Sequence, residues 1–97
     1  VHFGAQPGSQ SAPHLFVVRV PDRDRVRDLL SKAGIDTGVH YPVPIHRMPA
    51  YRFLQVDGAP LPVTETLARE VVSLPFYPEL PDAEVDRVCD ALRASLA

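Results

Sequence analysis

The nine residues Gly38-Val39-His40-Tyr41-Pro42-Val43-Pro44-Ile45-His46 restrict this chain more than any other stretch. Pro42 and Pro44 fix φ, remove two backbone donors and push the residue before each toward extended geometry. Such a segment cannot be helical and cannot be a central strand. Val39 and Tyr41 favour β structure, so the stretch reads as a short strand running into a stiff loop. It carries two imidazoles and a phenol on a backbone with little freedom. Rigid loops bearing polar aromatic groups are where functional sites tend to lie.

The chain has 97 residues, enough for one domain with a modest core, since a chain of this size buries only about two-thirds of its unfolded surface. Residues 1–97 are therefore taken as a single unit, with 1–13 a loop or partial edge strand and 14–97 its core. Val1 opens the sequence without a methionine or a cap, which suggests a piece of something longer. A net charge of −2 provides no basic footprint for nucleic acid and no polybasic surface for a membrane. No apolar run approaches transmembrane length, and no charged segment followed by an apolar one marks a signal peptide. One cysteine cannot form an internal disulfide. These features suit a cytoplasmic protein. The eleven prolines sit at element boundaries without a repeat, so they punctuate structure and do not indicate disorder.

Val1-His2-Phe3 reads as the end of a strand and Gly4 to Pro13 as a small, polar loop. His14 to Val20 is the clearest strand. Its apolar run is broken only by Arg19, as in a strand covered on both faces. Asp22 is a good N-cap, and Val26, Leu29, Leu30 and Ala33 follow at i, i+3, i+4, i+7 on one helical face. Arg23, Arg25, Arg27 and Asp28 fill the other face, Lys32 lies in the last turn, and Gly34 supplies a left-handed C′ position. Ile35 to Tyr41 is a second strand weakened by Gly38. Pro49 to Leu54 permits a short helix with Pro49 at N1, and Asp57-Gly58 is a turn signal.

Pro62 opens a third helical segment. Val63, Leu67, Ala68 and Val71 share one face, and Glu65, Arg69 and Glu70 another. Val72 to Phe76 is a brief strand that Pro75 keeps short or at an edge. Pro81 opens the final helix, with Val85, Val88, Cys89, Leu92 and Leu96 on its apolar side. The order suggests an α+β layer: a small mixed or antiparallel sheet of three to four strands with helices on one face.

The chemistry-bearing residues are sparse. His40 and His46 are six residues apart with two prolines between them. A zinc helix wants i, i+4 spacing, and no cysteine pair or carboxylate cluster joins these two. The serines include no G-x-S-x-G elbow. Cys89 reads as a small buried hydrophobe. Lys32, the only lysine, sits on a charged helical face, so nothing in the sequence supplies an amine for Schiff-base chemistry. Gly4 and Gly8 do not lead directly into a helix, so they make a weak phosphate signal. The helical carboxylates read as ordinary solvated charge. Asp36 and Thr37 are the polar pair nearest the stiff loop and could equally shape a turn. His40, Tyr41 and His46 remain as candidates, against the alternative that they pack and hydrogen-bond within the domain.

Three runs carry a family resemblance: Gly34 to His46, Pro49-Ala50-Tyr51, and Leu67 to Leu80 (LAREVVSLPFYPEL). Together with the strand from His14 and the helix after it, they closely resemble the C-terminal region of the DegT/DnrJ/StrS sugar aminotransferases. The resemblance covers residues 14 to 97. It implies the small C-terminal domain of an aspartate-aminotransferase (fold-type I) enzyme. A larger domain would hold pyridoxal phosphate on a lysine, the enzyme would be a homodimer, and the reaction would move an amino group from glutamate to a keto sugar carried on a nucleotide. It also implies that the G-[IV]-H-Y-P turn lines the substrate site. On that basis His40 and Tyr41 are carried over as substrate contacts, with His46 a weaker third. Arg47-Met48 stands where the family varies, and Pro81 where a threonine cap is common.

The catalytic lysine, its acidic partner and the phosphate-binding residues of that family have no counterpart here. The resemblance thus implies a domain that holds no cofactor and is inactive alone. Two other readings stay open: a standalone binding module for a nucleotide or sugar, and a dimerising piece with no ligand.

Overall fold

The computed structural model describes residues 7–54 and 60–97. The expected strand end at Val1-His2-Phe3 and the turn at Asp57-Gly58 lie outside those residues. In chain order come strand β1 (Phe16–Arg19), helix α1 (Arg23–Lys32), two 3-10 turns (Ile45–Arg47 and Pro49–Leu54), helix α2 (Pro62–Glu70), strand β2 (Val71–Leu74) and helix α3 (Asp82–Leu96). The class is α+β, as the alternation of elements predicts.

β1 and β2 pair antiparallel, with Phe16 opposite Leu74, Val17 opposite Ser73, Val18 opposite Val72 and Arg19 opposite Val71. The Val20 N–H donates to the Glu70 carbonyl at 2.9 Å and extends the ladder by one bond. Among the described residues the sheet has two strands, where the sequence suggested three to four. The expected strand Ile35–Tyr41 contributes a single bridge, Gly38 to Ser73. The physical reason lies on both sides of Gly38. Ile35 is drawn onto α1 by the helix cap, Thr37 is held by Arg27, and Pro42 and Pro44 have no N–H to offer a ladder.

The cap of α1 shows how. Gly34 takes φ +75°, its N–H donates to the Ser31 carbonyl, and the Ile35 N–H donates to the Leu30 carbonyl, both at 2.9 Å. This is the two-bond Schellman arrangement, and it carries Ile35 into the core beside Leu30. The other end differs from expectation. Asp22 occupies the N-cap position, but its backbone is left-handed (φ 47°, ψ 51°) and its side chain makes no capping bond.

Alternation along the strands turns Val18, Val20 and Val72 to one side of the sheet. There they meet Val26 and Leu30 of α1, Val88 of α3 and Ile35, with Phe16, Leu74, Ala91 and Leu92 packed around them. Leu30 and Val72 are completely buried, each contributing about 1.5–3 kcal/mol of apolar transfer. Arginines tie the layers together through backbone carbonyls. Arg87 Nη2 donates to Ala33 O at 2.7 Å, Arg25 Nη1 to Ser95 O at 3.2 Å, and Arg23 Nη1 to Ala68 O at 2.9 Å. The guanidinium fork suits this work better than an ammonium would. Arginines expected to face solvent therefore also clamp the ends of neighbouring elements.

Helix α2 departs from its sequence pattern. Ala68 is buried, but Val63 is 72% and Leu67 39% exposed. On the charged side, Glu65 is half-buried. Val17, on the second face of β1, is also exposed. The described residues thus leave uncovered the face that the apolar run of β1 predicts to be covered. None of their helices is long and apolar enough to cross a membrane.

Leu30→Ala is expected to destabilise the fold by about 2–5 kcal/mol, the range for a buried leucine truncated to alanine. Leu29→Ala, one position along and partly exposed, should cost less than half as much. Equilibrium urea unfolding of the two variants checks the difference.

Candidate functional site

The stiff loop is attached to the fold at its start. Ser73, in the middle of β2, directs both backbone groups to Gly38: its N–H donates to Gly38 O at 2.8 Å and its carbonyl accepts from Gly38 N at 3.0 Å. One residue earlier, Arg27 of α1 donates from Nε to Thr37 Oγ1 at 3.1 Å and from Nη2 to the Thr37 carbonyl at 3.2 Å. The chain therefore enters His40 from a fixed platform, with the sheet on one side and α1 on the other.

His40 follows with its Nδ1 2.8 Å from Ser73 Oγ. Its ring lies against the bare face of Gly38, where an added Cβ would come within 2.7 Å of the imidazole Cε1. Gly38 is not in the left-handed region, so glycine is required here for space and not for backbone conformation. The His40–Tyr41 peptide is cis, and the Tyr41 ring stands edge-on to the imidazole with centroids 5.4 Å apart. Tyr41 is 70% exposed. The loop thus presents an imidazole and a phenol side by side at the surface on an anchored backbone.

His46 belongs to a second cluster. It lies in the 3-10 turn Ile45–Arg47, and its Nε2 is 2.9 Å from Glu65 Oε1 of α2. Arg47 donates to the same oxygen from Nη2 at 2.8 Å and from Nε at 3.1 Å. Glu65 sits in the first turn of α2, at the positive end of the helix dipole. Its pKa falls from 4.5 to about 2, chiefly because His46 and then Arg47 hydrogen-bond its charged form, with a smaller contribution from the Leu61 backbone N–H. A carboxylate can only accept, so Nε2 of His46 carries the proton in this contact. His46 is committed to holding the far end of the loop on α2, whereas His40 and Tyr41 face outward.

The three expected residues thus divide into two groups: His40 and Tyr41 in mutual contact and anchored on β2, and His46 anchored on α2. Sequence reasoning passed over the anchors. Ser73 lies between apolar neighbours in a strand, a position where a buried hydroxyl needs a partner. Glu65 was read with the solvated carboxylates, and its signal was its place in the first turn behind Pro62. The other side chains weighed earlier stay apart from the loop. Cys89 is half-buried on α3 with a free thiol, and Lys32 is exposed in the last turn of α1. A polar concavity of about 350 Å³ opens between α1 and Ile35–Thr37, lined by Asp24, Arg27, Asp28 and Asp36 among others. It includes none of the three ring residues.

The depressed pKa of Glu65 fixes the sign of a pH effect. A carboxylate whose folded pKa lies below its unfolded value stabilises the fold above the unfolded value and loses that contribution as pH falls through the folded one. The gap in thermal stability between the native chain and Glu65→Gln should be widest above pH 4.5 and close as pH falls toward about 2. Melting temperatures of both proteins from pH 2 to 6 check it.

The family model described as DegT/DnrJ/EryC1/StrS aminotransferase matches residues 1–93. The chain is 44% identical over 88 residues to the erythromycin biosynthesis sensory transduction protein EryC1 of Saccharopolyspora erythraea, covering 91% of this chain and 24% of that protein. It is 45% identical over 87 residues to the dTDP-3-amino-3,4,6-trideoxy-alpha-D-glucose transaminase of Streptomyces venezuelae, covering 90% of this chain and 23% of that one. The crystal structure of S. venezuelae DesV in complex with a ketimine intermediate matches with a TM-score of 0.78 at 44% identity, over 88% of this chain and 24% of that chain. A DegT DnrJ EryC1 StrS aminotransferase from Brucella abortus matches with a TM-score of 0.78 at 29% identity, over 86% and 22%. The chain spans about a quarter of the length of these relatives. It belongs to the DegT/DnrJ/EryC1/StrS aminotransferase family.

Proposed function

We propose that this chain is the C-terminal small domain of a pyridoxal-phosphate-dependent nucleotide-sugar aminotransferase. In this reading it lines the substrate side of the site with His40 and Tyr41, while His46 holds the far end of their loop on α2, and is inactive alone. The reaction is the transfer of an amino group from glutamate, which leaves as 2-oxoglutarate, to the keto carbon of a sugar carried on a nucleotide. The observation that carries the reading is the pair of exposed rings, His40 and Tyr41, on a loop anchored at Gly38, in a chain 45% identical to a sugar-nucleotide transaminase.

The cofactor does not fit this chain's own residues. A pyridoxal enzyme needs a desolvated amine at the site, and Lys32, the single lysine, is exposed at the end of α1. In this reading a larger domain holds the cofactor. The uncovered apolar residues Val17, Leu61, Val63 and Leu67 are where that domain would pack, and a homodimer would complete the assembly. An exposed set of this kind is expected where a neighbouring domain is seated.

Two outcomes test the proposal. The 97-residue chain mixed with pyridoxal phosphate should retain no visible cofactor absorbance after gel filtration, should turn over no amino donor, and should bind a hydrophobic dye. Retained absorbance or turnover overturns the reading, and tight binding of a nucleotide sugar by the chain alone would favour a standalone module. In the longer enzyme, His40→Ala and Tyr41→Phe should each raise KM for the nucleotide sugar about tenfold, the equivalent of one hydrogen bond of ~1.4 kcal/mol, with the cofactor spectrum unchanged. An unaltered KM removes the substrate-side role of these residues.

A further inference from the structure

We propose that Ser73 is the positioning residue of His40 and sets its tautomer, so that the neutral imidazole presents an Nε2–H donor at the surface. The chemistry this suits is an acceptor oxygen, a phosphate or sugar oxygen of the nucleotide-sugar substrate, and that part rests on the functional reading above.

The argument starts from the hydroxyl. Ser73 is 4% exposed, and a buried O–H must find an acceptor or lose the free energy of its hydration. No buried side-chain nitrogen or oxygen among the described residues is left without a partner. The hydrogen bond of the Ser73 side chain is the one to His40 Nδ1, at 2.8 Å. Among the described residues its hydroxyl meets no acceptor other than that ring nitrogen.

Two arrangements are then possible. If Nδ1 carried the proton and Oγ accepted it, the serine proton would be buried with nowhere to go. If Oγ donates to the Nδ1 lone pair, both groups are satisfied by one bond. The second arrangement wins by the cost of an unmade buried bond, and it forces the ring proton of the neutral imidazole onto Nε2.

The ring has little freedom to escape this bond. Its Cε1, Nδ1 and Nε2 would lie 2.7, 3.3 and 3.7 Å from a Cβ built on Gly38, so the Cε1 edge of the imidazole rests against the glycine. Tyr41 closes one edge. His40 as a whole is nevertheless exposed, which leaves its outer side accessible to a ligand. A buried hydroxyl, a glycine chosen for space and an aromatic edge together hold the ring of an exposed histidine in one protonation pattern.

Long-range proton–nitrogen NMR of the ¹⁵N-labelled chain at a pH where His40 is neutral reads the tautomer directly. The expected signature is Nδ1 in the unprotonated range and Nε2 in the protonated range. Ser73→Ala should move both nitrogens toward the averaged values of a free imidazole, and Ser73→Thr, which keeps the hydroxyl, should restore the separation. Gly38→Ala, which displaces the ring while leaving Ser73 intact, should also collapse it. Amide spectra of the core residues confirm that each variant remains folded. A protonated Nδ1 in the native chain, or a separation unchanged in Ser73→Ala, overturns the proposal. The ligand part is tested separately in the longer enzyme, where Ser73→Ala should raise KM for the nucleotide sugar several-fold and Ser73→Thr restore it. If the NMR signature holds while His40→Ala leaves KM unmoved, the substrate reading fails and with it the assigned acceptor, but the positioning by Ser73 stands.

Discussion

The pair of backbone hydrogen bonds between Ser73 and Gly38 holds the start of the proline-rich loop in place. Among the described residues β2 has one neighbouring strand, β1, and its second edge meets only Gly38. Gly38 occupies that edge for one residue only. The strand cannot continue, because the helix cap pulls Ile35 toward α1, Arg27 holds Thr37, and the prolines that follow have no N–H to offer. The result is a loop that leaves the sheet at a fixed point and in a fixed direction. The same serine that closes the bridge also holds the imidazole that follows it, so backbone and side chain of one residue locate the start of the site.

The far end of the loop is held by charge instead of packing. Glu65 gathers His46 and Arg47 onto one carboxylate oxygen, while Val63 and Leu67 of α2 stay exposed. The two anchors are different in kind. Ser73 is buried and directional. The Glu65 cluster is partly solvated and sensitive to acid, and the Arg47 side of it is screened by salt.

Much of the fold could be read from the sequence because the signals were local. The 3.6-residue spacing of Val26, Leu29, Leu30 and Ala33, the glycine at the end of α1, the proline in the first turn of α2 and the one just before α3 each act within a few residues. The family was legible for the same reason: Gly38 to Pro42 and the run through Ser73-Leu74-Pro75 are contiguous in the chain. The extent of pairing was not legible. Ile35 to Tyr41 has the composition of a strand, yet its pairing depends on how a helix cap and an arginine from another element compete for its ends.

The sequence by itself determined the three α-helices and the proline-stiffened stretch that carries the rings, though it excluded helix from a segment whose end, Ile45–Arg47, forms a 3-10 turn. These follow from covalent constraint and local periodicity. Only the tertiary structure decided which groups hold those rings. Ser73 lies 33 residues from His40, and Glu65 lies 19 from His46. A hydrogen bond is made by proximity and direction, and neither is encoded in composition. The same serine or glutamate in a chain that folded otherwise would be one more polar side chain in water.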